Sequence, residues 1–181
     1  VTAGGGITQP NQALIIDGTS SFTIDVGNSS VDLRAKTGDI LLNDFGGAVS
    51  GNGHHFKIRD VDDIVLGAIR GSPGQVVITA GGAVTQTGAI SANNNTTITA
   101  TGFDVTLNEA TNNLGGSTKI TGNNVKLTAA SRINIGTSTI TGNLAMLSSH
   151  ADGILDANSI TVGGNFSATT SVSNADIVLS E

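Results

Sequence analysis

Apolar and polar residues alternate along the chain in short runs: "FTID", "DILLN", "FKIRD", "VVITA", "TTITA", "DVTLN", "VKLTA", "RINIG", "LAML" and "DIVLS". Each run has the two-residue period of a strand with one buried face. Between the runs sit "GNG", "GG", "NNN", "GNN", "GN" and "GGN", residues that tolerate tight or left-handed backbone and therefore predict corners. No stretch carries a helical stripe, and the many Thr, Ser, Gly and Asn residues disfavour one. The spacing is regular. "ITGNNVKL" (120–127) returns as "ITGNLAML" (140–147). Aligning "FKI", "VVI", "TTI", "VKL", "AML" and "FSA" gives a column Ile58, Ile78, Ile98, Leu127, Leu147 and Ala168 whose steps stay near 20 apart from one insertion. A second column runs Ile120, Ile140, Ile160, and a third joins Ile64 to Val84 and Ile133 to Ile154.

Three aliphatic columns on one period predict an all-β fold with three short strands per coil and about 20 residues per coil, a parallel β-helix (β-solenoid). Each coil lays its strands on those of the coil before, at roughly 4.8 Å per layer, so about eight or nine coils make a rod of roughly 40 Å. A Greek-key sandwich would also show many short strands, but nothing in it demands a constant step. On the "FKI" column Phe56, Ile58, Ile78, Val125, Leu127 and Phe166 are expected to point inward. Lys57, Arg59, Thr79, Thr99, Lys126, Thr128, Ser148 and Thr169 are expected to point outward.

A longer unit overlies the coil. "VTAGGGITQ" (1–9) matches "ITAGGAVTQ" (78–86), and "HHFKIRDVDDIVLG" (54–67) aligns with "NNVKLTAASRINIG" (123–136); "DILLND", "DVTLNE" and "DIVLSE" begin at Asp39, Asp104 and Asp176. The offsets are similar to one another and several coils long, the mark of a repeat larger than the single coil. Both ends fall inside repeat phrases, so residues 1–181 are expected to form a single solenoid segment, an internal piece of a longer repeat protein.

Composition sharpens this reading. Hydrophobic residues make up 38% of the 181 positions but aromatics only 3%, so the core must be built from Val, Ile, Leu and Ala, which suits thin stacked layers. A net charge of −6 offers no basic footprint for nucleic acid. With no Cys, disulfides, thiol catalysis and Cys-based zinc sites are excluded. No apolar run approaches the length of a membrane helix and no charged-then-apolar leader opens these residues.

The phrases "TAGGAVTQTGAI", "DVTLNEATNNLGGSTKITGNNVKLTAASRINIGTSTITGN" and "ITVGGNFSAT" resemble the repeats of large bacterial exoproteins of the filamentous-haemagglutinin type. The resemblance spans nearly the whole chain. It implies a right-handed β-helix, a secreted or cell-surface location in a Gram-negative bacterium and export by two-partner secretion through an outer-membrane pore. It also implies adhesion to a host-cell or surface glycan or protein receptor.

Three chemistries compete with a purely structural role. The outward Thr/Ser ladder would order ice if regular, but Lys57, Arg59 and Lys126 interrupt it, and β-propensity explains it without a ligand. The densest charge lies in "HHFKIRDVDD". Carboxylates beside basic groups would suit a polysaccharide lyase or hydrolase, and Asp60, Asp62 and Asp63 would suit calcium. Against both, the neighbouring repeat carries Thr128, Ser131 and Arg132 at the corresponding places, and no second acidic cluster is seen one coil away. The expectation is therefore no catalytic residue, no metal and no cofactor, with Lys57, Arg59, Asp60, Asp62 and Asp63 as a candidate surface-binding patch. His54 and His55 lack a third ligand and read as a corner pair. Asn at the corners is expected to hydrogen-bond from coil to coil. No phosphate loop and no GxSxG is present. Exposed strand edges at either end would favour end-to-end self-association.

Overall fold

The computed structural model describes residues 1–10, 12–25, 28–34, 36–37, 40–41 and 43–179. Asp39 and Leu42 of the first "DILLND" phrase, and Ser180 and Glu181 of "DIVLSE", lie outside them. Among the described residues there is no helix, and the chain winds as a β-solenoid of about 8 turns with roughly 21 residues per turn.

Two parallel sheets form its main walls. The first stacks Thr2–Ala3, Ser20–Ile24, Val49–Gly53, Ile64–Gly71, Val84–Gln86, Val105–Leu107, Val125–Ala129, Leu144–Ser148 and Phe166–Thr170. The second stacks Ile7–Thr8, Val31–Leu33, Phe56–Asp60, Val76–Ala80, Thr96–Thr99, Ser117–Gly122, Ile133–Ile135, Ile154–Asp156 and Ile177–Val178. A third short strand completes many coils: Ile90–Ala92 and Asn113–Leu114 continue the first sheet around a corner, Ser138–Ile140 and Ile160–Val162 the second. One antiparallel hairpin, Lys36–Thr37 against Ile40–Leu41, departs from the stack. The two-residue alternation of the sequence appears directly as burial, inward residues at odd positions of "FKIRD" and "VVITA" being buried and their neighbours half-buried.

The core is a set of ladders. Ile58 lies over Ile78, Ile98 and Ile120 in register, all essentially without solvent exposure. Val84, Val105, Val125 and Leu144 form the facing ladder. Each such side chain contributes about 1.5–3 kcal/mol on burial. Identical shapes stacked at one strand spacing fill the interior without large aromatics. Of the five Phe residues, Phe22 and Phe45 meet edge to face with ring centroids 6.2 Å apart, and Phe56 fills the next coil.

The coil step is not constant. Along the second sheet the register partners Val31, Phe56, Val76, Thr96, Thr118, Ile135 and Asp156 follow one another at steps of 25, 20, 20, 22, 17 and 21. This corrects the expected columns. The residue above Ile98 is Ile120, not Leu127. Leu127 belongs to the first sheet, between Leu107 and Met146. Ile58 and Leu127 stand one long repeat apart, and that repeat spans three full coils (Phe56 to Thr118) plus one face. Matching phrases therefore land on alternate walls. "FKI" sits on the second sheet and "VKL" on the first; "VTA" (1–3) sits on the first and "ITA" (78–80) on the second; "DVTL" and "DIVL" divide in the same way. Ile64 and Val84 share the first sheet, whereas Ile133 and Ile154 share the second.

Three further orientations differ from expectation. Met146 and Ser148 point inward and Leu147 outward, 37% exposed, because "LAML" and "VKLT" pair with Met146 under Leu127. Ile140 sits over Gly122, not Ile120, whose amide instead donates to Ser138 Oγ. Phe166 is exposed, since no later coil covers it among the described residues.

Candidate functional site

The charged phrase occupies the corner 54–55, the strand Phe56–Asp60 and the corner 61–63 that leads into Ile64–Gly71. The structure divides its side chains. Lys57 and Arg59 stand on the outer face, Lys57 in register with Asp32 of the previous coil. Asp32 is itself held by Arg34, whose Nε and Nη2 donate to the two carboxylate oxygens at 2.7 and 2.5 Å. Arg59 Nη1 reaches the carbonyl of Arg34 at 3.4 Å. Asp63 accepts the amide of Ala83 in the next coil at 2.6 Å. A Cβ at Gly82 would collide with that carboxylate, so the glycine makes room for the clip.

Asp60 departs from the expected surface patch: it is the last inward residue of its strand and is fully buried. Its Oδ1 accepts the amides of Val61 at 2.8 Å and Phe45 at 3.4 Å. Its Oδ2 is buried and meets no hydrogen-bond donor among the described residues. Burial pushes this carboxyl up to about 6; the backbone amides of Phe45, Val61 and Asp62 oppose the shift and the charge of Asp62 adds to it. Asp44, half-buried, arrives from the preceding coil, where the amide of Val61 donates to the carbonyl of Asn43 at 2.7 Å. Carboxylate oxygens of Asp44, Asp60 and exposed Asp62 lie within 4.8 Å of one another. One acid from the adjacent coil, Asp44, thus joins the patch, although it is not a second acidic cluster. It was hidden because Asp44 and Val61 face each other at a step of 17 rather than 20.

The histidines form a corner pair. Their rings meet at 4.3 Å and 73°, and His55 Nδ1 accepts the amide of Gln75 at 3.0 Å. Burial, with the nearby His54 and Lys57, lowers the His55 pKa, so this ring is a neutral acceptor holding the next coil.

Sequence reasoning missed two buried amide brackets. Asn43 and Gln9 exchange side-chain hydrogen bonds, and Asn43 also takes the amide of Leu14 and gives to the carbonyl of Leu33. Asn112 and Gln86 repeat the arrangement, with Ile90 and Thr128 as the backbone partners. The signal was the shared "TQ" closing "VTAGGGITQ" and "ITAGGAVTQ", polar at a position that otherwise faces the core. The expected Asn ladder is present: Asp104 accepts from Asn123 and Asn124, Asn124 Oδ1 from Asn143, and Asn143 Oδ1 from the amide of Asn165. The backbone amide of Asn124, with the side chains of Asn124 and Asn123, holds the Asp104 carboxyl below its usual range.

A cavity of about 780 Å³ lies away from the charged patch, at the last described coil, lined by Ile160, Val162, Phe166 and Leu179 among others. It is the uncovered interior of the stack.

A family model described as repeats of unknown function (DUF5649) matches residues 1–52, 53–121 and 122–181. The second and third matches begin at 53 and 122, the same offset at which 54–67 aligns with 123–136. No curated protein and no solved structure matches the chain.

Proposed function

Since the chain belongs, over its whole length, to the DUF5649 family of repeats of unknown function, we propose that what these repeats supply is reach: a shaft segment of a secreted or surface-displayed, adhesin-like exoprotein. The observation that carries this reading is that all three repeats run into one continuous stack, each wall adding strand on strand through the repeat boundaries at 52/53 and 121/122. The phrases that resemble filamentous-haemagglutinin-type exoproteins support it. Because successive repeats advance by three coils and one face, equivalent outward residues wind around the rod instead of lining one side. A shaft of this kind offers weak contacts in several directions, and binding strength then depends on how many are engaged at once.

The reading extends to a receptor on a cell or surface, a glycan or protein, and to an outer-membrane pore as export partner. The competing reading is a carbohydrate-active β-helix enzyme using Lys57, Arg59 and the neighbouring carboxylates. The test compares the chain as a soluble monomer and coupled at high density to beads. Both forms are assayed for retention on cultured cells and for cleavage of a panel of acidic and neutral polysaccharides. The shaft reading expects retention that rises steeply with density and no cleavage. Cleavage of one polymer, lost in the Lys57→Thr/Arg59→Thr variant, would replace it with the enzyme.

A further inference from the structure

The Asp44, Asp60 and Asp62 carboxylates form the one group among the described residues in which three potential metal ligands converge, one buried, one half-buried and one exposed. A cluster of acids alone says little. Here a second observation stands beside it: Asp60 is fully buried, and its Oδ2 meets no hydrogen-bond donor among the described residues, although a carboxylate oxygen of this residue lies within 4.8 Å of those of Asp44 and Asp62.

The repeat provides an internal control. The offset that carries 54 to 123 sets Asn113, Ala129 and Ser131 in the second copy at the places of Asp44, Asp60 and Asp62. The counterpart of Asp60 is thus Ala129 and not Thr128, as the 54–67/123–136 alignment itself requires; both strands end inward there, and Ala129 is buried as Asp60 is. In both copies the coils meet at a step near 17, with the amide of Val61 donating to Asn43 and that of Ala130 to Asn112. In both, one amide of the upper coil must find a side-chain acceptor. Leu114 finds Ser131 Oγ at 2.7 Å, whereas Phe45 finds Asp60 Oδ1 at 3.4 Å. A single neutral oxygen therefore suffices for the fold. The first copy instead uses a buried carboxylate with a spare oxygen and adds two more acids, while the second copy carries Arg132 at the place of Asp63.

We propose that Asp44, Asp60 and Asp62 bind a calcium ion that ties the coil of Asp44 to the coil of Asp60. Oxygen-only donors select a hard cation over zinc or copper. Three carboxylates on two coils and a corner, one of them solvent-exposed, suit the irregular, partly hydrated shell that calcium accepts better than the tight octahedron that magnesium demands. The junction is where a clamp is useful, because the hairpin Lys36–Thr37/Ile40–Leu41 leaves the stack just before Asp44. An ion there would make the stiffness of this coil pair depend on external calcium.

Thermal unfolding of the chain with millimolar CaCl2, MgCl2 or EDTA, together with calcium titration calorimetry, tests the site. Asp62→Asn and Asp44→Asn serve as variants, because neither removes the buried acceptor on which the fold depends. Calcium is expected to raise the parent midpoint by about 5 °C or more at saturating concentration, magnesium to raise it less, and both variants to lose most of the rise while melting as the parent does in EDTA. No calcium-dependent shift and no binding heat in the parent would overturn the proposal. So would a shift retained in the Asp44→Asn/Asp62→Asn double variant, which would place the ion elsewhere, or an equal response to magnesium, which would remove the assignment to calcium.

Discussion

Leu127 and Leu147 close the two matching phrases "ITGNNVKL" and "ITGNLAML", yet the structure gives them opposite environments, and truncating each measures the register directly. Leu127 has no exposed surface and is stacked between Leu107 and Met146. Leu127→Ala removes that side chain from a rigid ladder that cannot collapse without disturbing the backbone pairing on both sides, so the expected cost is about 3–4 kcal/mol. Leu147 is 37% exposed on the outer face, in register with Thr128 and Thr169. Leu147→Ala is expected to cost less than about 1 kcal/mol. Met146→Ala, inward and buried, should fall near Leu127→Ala. Urea unfolding followed by circular dichroism ranks the three, and amide exchange on the flanking strands shows whether unravelling starts at the altered coil, as a solenoid with nearest-neighbour coupling allows. Comparable losses for Leu127→Ala and Leu147→Ala, with Met146→Ala near neutral, would refute the argument, because a one-residue slip exchanges the two faces of a strand.

Removing one side of a buried amide bracket is expected to cost more than the same change on the Asn corner ladder. Asn112→Ala strands the Gln86 amide, the amide of Ile90 and a bond to Thr128, for about 2–4 kcal/mol by urea unfolding, whereas exposed Asn143→Ala should cost about 1 kcal/mol or less. Asp60 sets a pH dependence in EDTA. Its carboxyl is raised from 3.8 to about 6, so the folded state holds the proton more tightly than the unfolded state. Its contribution is complete below about pH 4 and is lost as pH rises through about 6, a difference of about 2–3 kcal/mol. Asp60→Asn should flatten that part of the stability profile, and an unchanged profile would remove Asp60 as its source. Far-ultraviolet circular dichroism should show an almost pure β signal, more than about a tenth helix being incompatible with the stack.

The architecture was legible because a solenoid writes its geometry into the chain: strand alternation, Gly/Asn corners and a recurrence at the length of one coil are all consequences of stacking like on like. The face assignments were less legible. Ile58 and Leu127 occupy the same repeat position and share a sequence environment, but the repeat is three coils plus one face, so homology and spatial stacking diverge. The acidic group was half legible. Asp60 and Asp62 stood out as charge, but the alternation that makes Phe56 and Ile58 inward also turns Asp60 inward. Asp44 could be joined to them only through the short step of 17. Of the Gln9–Asn43 and Gln86–Asn112 brackets only the glutamines left a trace, the repeated "TQ"; the pairing could not be read because the partners lie 34 and 26 residues apart, spans with no fixed period.

The most direct test of the stacked register uses the absence of cysteine in the chain. Thr99 and Thr121 face each other outward on adjacent coils of the second sheet, while Thr128 lies on the first sheet. Neighbouring strands at roughly 4.8 Å bring register partners within disulfide reach. Under mild oxidation the Thr99→Cys/Thr121→Cys variant should form an intramolecular disulfide, read by mass spectrometry and gel mobility, and the Thr99→Cys/Thr128→Cys variant should remain reduced. Efficient closure of the second pair and not the first would restore a single column at a fixed step of 20 with one insertion and contradict the alternating-face solenoid.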